Sequence, residues 1–330
     1  MTRVLITGGA GFMGFHLARS LVQEGYQVDL VDNLARGVKD QELTELLSRP
    51  GVRFFPLDLR EPGGTAALSL DYDYIYHLAA IVGVAHVLNR PFEVLRDNTL
   101  LLLAVLELAR RQRRLQRFIF TSTSEVYAGT LRYFHLPVPT PETTPLAVTD
   151  LGEPRTSYML SKIYGEALCR HAGVPVTIIR PHNVYGPRMG LSHVIPELLH
   201  KAVQTPEGGS LEVFSVDHRR TFCYISDGVE LLRRLAEAPD AAGETLNLGS
   251  PGPEISIGEL AAVILRVTGK NLRIIPLPAT PGSPLRRCPD MTRTTALTGY
   301  QAQVSLEEGV RLTYEWYRDH VFSGRSPGAI

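Results

Sequence analysis

Short apolar runs alternate with amphipathic stretches through the first half of the chain. The apolar runs with the length and composition of buried strands are RVLIT (3–7), QVDLVD (27–32), VRFFPLD (52–58), YDYIYHLAA (72–80), RFIFTSTS (117–124) and VTIIRP (176–181). Helical periodicity fills the intervals at 12–25, 40–49, 91–114 and 157–172. Because buried strands separated by helices pair in parallel, the pattern predicts an α/β fold with a doubly wound parallel sheet covered on both faces.

The alternation ends after residue 187, where proline and glycine become dense in GPRMGLSHVIPEL, QTPEGGS, GSPGPE and PLPATPGSP. This composition predicts a smaller, irregular α/β domain at the carboxyl edge of the sheet. The stretch RTFCYISDGVELLRRLAEA (220–238) reads as a strand and helix that return to the first domain. We therefore expect one domain from 1–187 with 216–242, and a smaller substrate-binding domain from 188–215 with 243–330.

Composition narrows the class of protein. The chain has 330 residues, 44% hydrophobic and 21% charged, with a formal net charge of zero, which gives no electrostatic case for nucleic acid or an anionic membrane as partner. Its three cysteines are scattered without metal-ligand spacing, so neither a disulfide framework nor a metal site is expected. The longest apolar run, LLLLAVLELA (100–109), is too short to span a bilayer, and no signal peptide is readable. A cytoplasmic protein is expected.

A glycine-rich loop follows the first predicted strand. In ITGGAGFMG (6–14), Gly8, Gly11 and Gly14 lie between the strand and its helix, where glycines allow backbone amides to approach a pyrophosphate at the helix N-terminus. Asp32 ends the second strand, as an acceptor for adenosine ribose hydroxyls would, and its charge favours NAD over NADP. Arg36 follows nearby, and its charge acts against that preference.

Tyr158 and Lys162 lie four residues apart in SYMLSKIYGEAL, on one face of a predicted helix. A tyrosine ionises near pH ~10, but an adjacent ammonium and a positive nicotinamide ring favour its phenolate. Tyr158 is therefore the candidate general base toward a substrate hydroxyl.

Motifs along the whole chain resemble those of extended short-chain dehydrogenase/reductases of the nucleotide-sugar epimerase, dehydratase and decarboxylase group. The motifs, in the family's order, are TGGAGFMG, VDNL, HLAA, STSEVY, SYMLSK, RPHNVYGPR, RRTFCYISD and RRCPD…LTGYQAQVSLEEGV. The resemblance implies a Rossmann-type domain with tightly bound NAD that is recycled within the site. It also implies a nucleotide diphosphate sugar in the cleft below the smaller domain, and homodimers through helices 91–111 and 157–172.

The resemblance also implies individual contacts. The further cofactor contacts are Phe12, Met13, Asn33, Asp58, Leu59, Leu78, Ala79, Ala80, Asn98, Thr121 and Pro181, in addition to Tyr158 and Lys162. The substrate contacts are Val84, His86, Thr123, Ser124, Glu125, Asn183, Val194, Arg220 and Arg287. Of these, Thr123, Ser124 and Glu125 join Tyr158 and Lys162 as catalytic candidates. His182 is interpreted as a buried structural histidine.

The shared chemistry of this family is oxidation at sugar carbon 4, and the sequence leaves the next step open. Glu125 and Arg287 resemble residues of UDP-glucuronate decarboxylases, whereas SYMLSK looks more like an epimerase. The Asp-Glu pair of 4,6-dehydratases is absent because Ser124 precedes Glu125. We expect a nucleotide-sugar 4-epimerase, with decarboxylase and then 4,6-dehydratase as alternatives.

Two readings from other classes are less favoured. A catalytically silent NAD-binding regulatory protein would typically have lost Tyr158 or Lys162, and both are present. A plain reductase of small carbonyl compounds would have no use for Arg220 and Arg287 as phosphate-binding groups.

Overall fold

The computed structural model describes residues 1–280 and 283–323, with the side chains at 84 and 85 outside that description. The described strands are β1 Arg3–Thr7, β2 Gln27–Val31, β3 Val52–Phe55, β4 Tyr74–His77, β5 Arg117–Thr121, β6 Val176–Pro181, β7 Val184–Tyr185, β8 Ser210–Phe214, β9 Arg219–Arg220, β10 Cys223–Tyr224, β11 Thr245–Leu248, β12 Ile255–Ser256, β13 Arg273–Leu277 and β14 Arg286–Arg287. The described α-helices are α1 Phe12–Gln23, α2 Gln41–Leu47, α3 Val84–Asn89, α4 Pro91–Arg110, α5 Ala128–Tyr133, α6 Thr156–Arg170, α7 Val194–Gln204, α8 Ile225–Glu237, α9 Ile257–Thr268, α10 Thr292–Thr298 and α11 Leu306–Tyr317.

A seven-stranded parallel sheet of Rossmann type, ordered β11-β6-β5-β4-β1-β2-β3, forms the centre of the molecule. Consecutive strand residues face opposite sides: Leu5 packs in the hydrophobic cluster with Val105 of α4, and Ile6 packs in the cluster with Leu232 of α8. Both faces are therefore covered, as the apolar strand pattern predicted. The doubly wound α/β fold is confirmed.

Two strands differ from the sequence prediction. The run 117–124 leaves the sheet after Thr121, because the Thr123 hydroxyl accepts from the Glu125 amide at 3.2 Å and starts a short 3-10 helix, Ser124–Tyr127. The strand Thr245–Leu248, which sequence analysis left in the smaller domain, pairs with β6 as the edge of the main sheet. The alternating pattern gave no sign of it, since it has four residues within a proline- and glycine-rich region. The domain boundaries otherwise stay a prediction.

The second half of the chain builds small sheets around the carboxyl edge of the main sheet. β9 pairs with β12 and β14, and β8 pairs with β13. The segment 220–238, which the sequence assigns to the first domain, contains β10 and α8, and α8 packs against α1 and β5. Buried Asp227 of α8 accepts from the Tyr300 hydroxyl at 2.7 Å and from the amides of Gln303 and Val304, each at 3.0 Å. This carboxylate therefore anchors the C-terminal part of the chain to α8.

The three cysteines are buried free thiols. In the part of the chain that the structure describes, no helix combines the length and apolar character needed to cross a bilayer.

Candidate active site

The glycine loop connects β1 to the N-terminus of α1. Gly8 adopts a φ of +73°, and a Cβ there would lie 2.8 Å from the Ala79 amide nitrogen. A Cβ on Gly14 would lie 2.2 Å from the Gly8 carbonyl oxygen, so side chains at either position would displace the backbone. The loop thus places the first amides of α1 at the carboxyl edge of the sheet, as a cradle for a diphosphate requires.

Asp32 ties the loop after β2 to the glycine loop. One carboxylate oxygen accepts from the Ala10 amide at 3.0 Å and the other from the Leu34 amide at 2.8 Å. Burial raises the pKa of Asp32, while these two amide bonds act in the opposite direction. Asn33 donates to Asp58 at 3.0 Å, which brings the predicted adenosine-side residues together. Arg60 pairs with Asp58 at 2.6 Å, and their hydrogen bond lowers the pKa of that carboxyl.

The loop after β4 lies beside the glycine loop at the carboxyl edge of the sheet, and we call the space between them the cofactor groove. Its Leu78 and Ala79 amides donate to Thr7, at 3.2 Å to the carbonyl and 3.3 Å to the hydroxyl. Asn98 of α4 accepts from the Ile81 amide at 2.7 Å and donates to its carbonyl at 3.1 Å. Asn98, predicted as a cofactor contact, therefore holds this loop in place through its side chain.

The other predicted cofactor residues are distributed around the same edge. Leu59 is buried in the hydrophobic core, whereas Phe12 and Met13 are partly buried at the start of α1. Ala80 and Pro181 are partly exposed at the ends of their segments.

Thr121 shows one direct sign of a missing partner. Its buried hydroxyl has no hydrogen-bond partner among the described residues, although its carbonyl accepts from Lys162 Nζ at 2.7 Å. Together with the glycine cradle, this unpaired hydroxyl at the strand end fits a bound dinucleotide. The residues present are therefore compatible with NAD.

Tyr158 and Lys162 lie on α6 beside the end of β5, as predicted. The Lys162 ammonium lies 5.8 Å from the centre of the Tyr158 ring. Burial lowers the pKa of Lys162 to about 8. Burial and the charge of Glu125 raise the pKa of Tyr158, while a Thr123 hydrogen bond and the charge of Arg36 act to lower it. The protein alone thus favours the phenol, and a further positive charge beside it would favour the phenolate.

Glu125 and Arg287 form an ion pair at 2.6 Å in the wall of a cleft. The Glu125 side chain is 45% exposed, so the pair is accessible to a substrate. The charge of Arg287 is the largest influence on the pKa of Glu125 and lowers it, and Arg155 and Arg220 add to the effect. Glu125 is therefore held as a carboxylate, although 162 residues separate it from Arg287.

This cleft has a volume of about 340 Å³, and its walls include Glu125, Asn183, Val194, Arg220 and Arg287, all of which the sequence predicts as substrate contacts. This volume is within the range of small-molecule sites. Asn183 has a φ of +45° and donates to the Thr221 carbonyl at 2.9 Å.

Arg220 differs in detail from its predicted role as a phosphate ligand. Its guanidinium donates to the Ser283 hydroxyl at 2.9 Å and to the Pro284 carbonyl at 2.6 Å. Burial lowers its pKa to about 10, and the charge of Arg287 acts in the same direction. Arg220 therefore fixes the loop that bounds the cleft and also presents positive charge to it.

Three other predicted substrate residues lie less directly at this cleft. Ser124 is buried at the first position of the 3-10 helix. His86 is exposed on α3 and does not line the cleft as the described residues define it. Val84 begins α3, and its side chain lies outside the described part of the structure.

A buried polar network behind the site was missed by the sequence analysis. Arg180 forms two hydrogen bonds with Glu166, at 2.7 and 2.9 Å, and donates to the Tyr127 hydroxyl at 2.8 Å. Ser122 donates to Glu166 at 2.6 Å, which joins the end of β5 to α6. Thr123 is the residue after Ser122, and Tyr158 lies on the same helix as Glu166, so the network supports the two segments that carry these candidates.

His182 is buried, as interpreted from sequence. Its Nε2 meets the Asn247 side-chain oxygen at 3.0 Å, while the Asn247 amide nitrogen donates to the carbonyls of Thr140 and Asp290. The asparagine oxygen is thus the acceptor, and His182 Nε2 carries the proton. Burial lowers the pKa of His182 to about 3, so the ring stays neutral.

The fold and this edge of the sheet define a Rossmann-type protein with a dinucleotide-binding loop and a cleft beside it. The NAD dependent epimerase/dehydratase family model matches residues 4–249, and the chain belongs to this family. The extended short-chain dehydrogenase/reductase resemblance and the NAD cofactor are thereby confirmed.

Individual relatives cover nearly the whole chain. UDP-glucuronic acid decarboxylase 2 of Arabidopsis thaliana is 34% identical over 336 residues, spanning 99% of this chain and 71% of the relative. UDP-N-acetyl-alpha-D-glucosaminuronate decarboxylase of Bacillus cytotoxicus is 33% identical over 332 residues, spanning 96% and 98%. Among solved structures, UDP-glucuronic acid 4-epimerase from Bacillus cereus, in complex with UDP-glucuronic acid and NAD, superposes with a TM-score of 0.84 at 26% identity, covering 96% of this chain and 99% of that one. The protein is thus similar to nucleotide-sugar enzymes of two reaction types.

Proposed function

We propose that this protein is an NAD-dependent decarboxylase of a nucleotide-linked uronic acid sugar. The observation that carries the proposal is the Glu125–Arg287 ion pair at 2.6 Å in the cleft. Oxidation and epimerisation at carbon 4 need no charged pair in addition to Tyr158 and Lys162. The two decarboxylases reported above support it. The expected 4-epimerase is therefore replaced as the leading reading by its stated alternative.

The first step of the proposed reaction is assigned to Tyr158. In its phenolate form it removes the proton of the 4-hydroxyl, which Thr123 orients by hydrogen bonding. Lys162 is positioned to hold the cofactor and add positive charge to this region. Bound NAD supplies the reversible acceptor for the hydride of carbon 4.

The second step is assigned to the charged pair. A carboxylate on carbon 5 is β to the new ketone, so the electron pair of the breaking carbon–carbon bond can move to oxygen 4 as carbon dioxide leaves. There the hydroxyls of Tyr158 and Thr123 donate to the developing negative charge. Glu125, held ionised by Arg287, repels a second carboxylate beside it and so favours its conversion to neutral carbon dioxide. A proton from solvent then completes carbon 5, and Tyr158 gives its proton back to oxygen 4 when the ketone, for which the reduced cofactor would be the reductant, returns to the alcohol.

The test is product analysis with a panel of nucleotide sugars that includes UDP-glucuronate. Mass spectrometry should show loss of carbon dioxide, and proton NMR should show the original configuration at carbon 4. The Tyr158→Phe variant is the matched control, because it removes only the proposed base. An unchanged mass with an altered coupling at proton 4 would establish the 4-epimerase, which the likeness to the Bacillus cereus epimerase structure keeps as second candidate.

The proposal includes a homodimer through α4 and α6, which pack against each other. Apolar side chains on these helices are exposed in the single chain: Phe92 by 69%, Leu100 by 42%, Leu103 by 38% and Tyr164 by 48%. Such a patch on neighbouring helices supports self-association. Light scattering should give twice the chain mass, and a Leu103→Glu variant should give the monomer. The cytoplasmic location stays a prediction.

A further inference from the structure

Arg188 is a buried cation in the middle of a segment that forms part of the cleft wall. Asn183 precedes it in the chain and Val194 follows it, and both of these residues line the cleft. The Arg188 side chain is only 5% exposed, and the residue adopts a φ of +67°, in the left-handed region that non-glycine residues rarely occupy. Such a conformation persists only where the surrounding structure determines it. The contacts of Arg188 must therefore hold this turn.

The side chain of Arg188 is bound to the loop after β2. Its guanidinium donates to the Asp40 carboxylate and, at 3.2 Å, to the Val38 carbonyl, and it lies 3.5 Å from the Glu42 carboxylate. Asp40 is itself fixed, because its carboxylate caps the N-terminus of α2. The turn in the cleft wall is thus anchored to the segment 32–40, which begins with the predicted ribose acceptor.

Helix α1, which begins at the glycine loop, holds the same turn from a second side. The Arg188 guanidinium carbon lies 4.0 Å from the centre of the Phe15 ring. Arg19 donates to His16 Nδ1 at 3.3 Å, so His16 Nε2 carries the proton and donates to the Pro187 carbonyl at 2.9 Å. One turn of the cleft wall therefore contacts both α1 and the loop after β2.

We propose that Arg188 is a positioning residue that couples the binding of NAD to the binding of the nucleotide sugar. Bound NAD would hold α1 and the segment 32–40 in place, and Arg188 would then hold the turn in the cleft wall. A guanidinium buried beside carboxylates leaves them only at a large penalty, so the turn and the segment move together. Such coupling is reciprocal, and a bound nucleotide retains NAD by the same factor. The inference rests on the nucleotide-sugar substrate of the proposed function and is independent of the reaction at the sugar.

The test measures NAD affinity by equilibrium dialysis, with and without a saturating nucleotide diphosphate, and we call the ratio of the two affinities the coupling factor. The probe is whichever of UDP, dTDP, GDP and CDP binds the unchanged protein most tightly. In that protein the coupling factor should be at least about 5, the lower end of the usual range for coupled sites. Asp40→Asn keeps a side chain that can cap α2 but removes the charge opposite Arg188, so the factor should fall toward 1. Arg188→Gln should have the same effect.

Arg19→Gln is the matched control. Arg19 is an exposed cation on α1, and its guanidinium carbon lies 5.5 Å from the centre of the same Phe15 ring. Among the described residues it has no hydrogen bond to the segment 32–40, so its replacement should leave the coupling factor unchanged. Circular dichroism verifies that the variants are folded, and Asp40→Asn carries the test alone if Arg188→Gln is not.

A coupling factor of 1 in the unchanged protein would overturn the proposal, and so would a factor in Asp40→Asn equal to that of the unchanged protein. A merely structural role predicts this second result, with both affinities lowered and their ratio kept. Failure of all four nucleotides to bind would instead exclude the nucleotide-sugar substrate, and this inference with it.

Discussion

Replacing Glu166 by glutamine should destabilise the fold far more than the same change at an exposed ion pair. Glu166 and Arg180 have side chains only 6% and 4% exposed, and two hydrogen bonds of 2.7 and 2.9 Å join them. Glutamine keeps the shape and an acceptor for Ser122, but it leaves the guanidinium as an uncompensated buried charge. Breaking such a pair costs about 3–5 kcal/mol, which is a large part of the stability of a typical domain.

Urea unfolding followed by circular dichroism measures this change. With a denaturant slope of about 3 kcal/mol/M, the expected loss moves the midpoint down by about 1–1.7 M. The control is Glu153→Gln, which breaks the exposed pair with Arg132, whose side chains are 42% and 49% exposed, and should cost less than about 1 kcal/mol. A double variant, Glu166→Leu with Arg180→Met, should recover much of the loss, because it removes both charges.

A loss of stability in Glu166→Gln no larger than that in Glu153→Gln would contradict this expectation. The double variant would also contradict the expectation if it were less stable than Glu166→Gln by about as much again as Glu166→Gln itself loses. Either result would mean that water or neighbouring groups already compensate Arg180. The network would then not be what holds the end of β5 against α6.

Other predictions concern the reaction and the anchoring of the C-terminal segment. Tyr158→Phe should lower turnover by about 10²–10⁴-fold while the NAD content of the purified protein, measured after acid extraction, stays unchanged; full turnover would exclude the base assignment. Glu125→Gln should slow carbon dioxide release from UDP-glucuronate, followed by a coupled bicarbonate assay, and an undiminished rate would remove Glu125 from the mechanism. Because burial lowers the pKa of Lys162 to about 8, its ammonium is lost at a lower pH than for an ordinary lysine, so the rate should fall as pH rises past about 8; a flat profile to pH 10 would contradict this. Asp227→Ala removes an acceptor of three hydrogen bonds and should cost about 3 kcal/mol in urea unfolding, and a loss within error would show that the segment is anchored otherwise.

Local features of the site could be predicted from sequence because short spacings determine them. Gly8 and Gly14 belong to one strand–turn–helix unit, and Tyr158 and Lys162 lie one helical turn apart. Spacing on one helix does not determine where a long side chain points. The Lys162 ammonium bonds to the Thr121 carbonyl of another element, which sequence could not show.

Side-chain contacts between segments that are far apart in the chain could not be predicted from residue spacing. Ser122 directly follows β5, where its position alone suggests no partner, yet it donates to Glu166, 44 residues later. Arg36 appeared as a neighbour of Asp32, but its side chain reaches the Val82 carbonyl, 46 residues later. In each case the sequence shows only which residues are neighbours along the chain. The hydrogen-bond partner comes from a distant segment that the order of strands in the sheet brings close.

The charges of the cleft add a physical argument for the proposed decarboxylation over epimerisation. The basic side chains that line it are Arg155, Lys201, Arg220 and Arg287, and the acidic ones are Glu125, Glu197 and Glu212. The cations exceed the anions by one, so a nucleotide diphosphate already brings more negative charge than this lining neutralises. A sugar carboxylate beside Glu125 adds to this excess of negative charge. Epimerisation would leave that carboxylate in place. Decarboxylation removes it, because carbon dioxide leaves without charge and protonation of carbon 5 discharges the intermediate. Under the proposed function, this lining would bind the decarboxylated sugar in preference to the uronate.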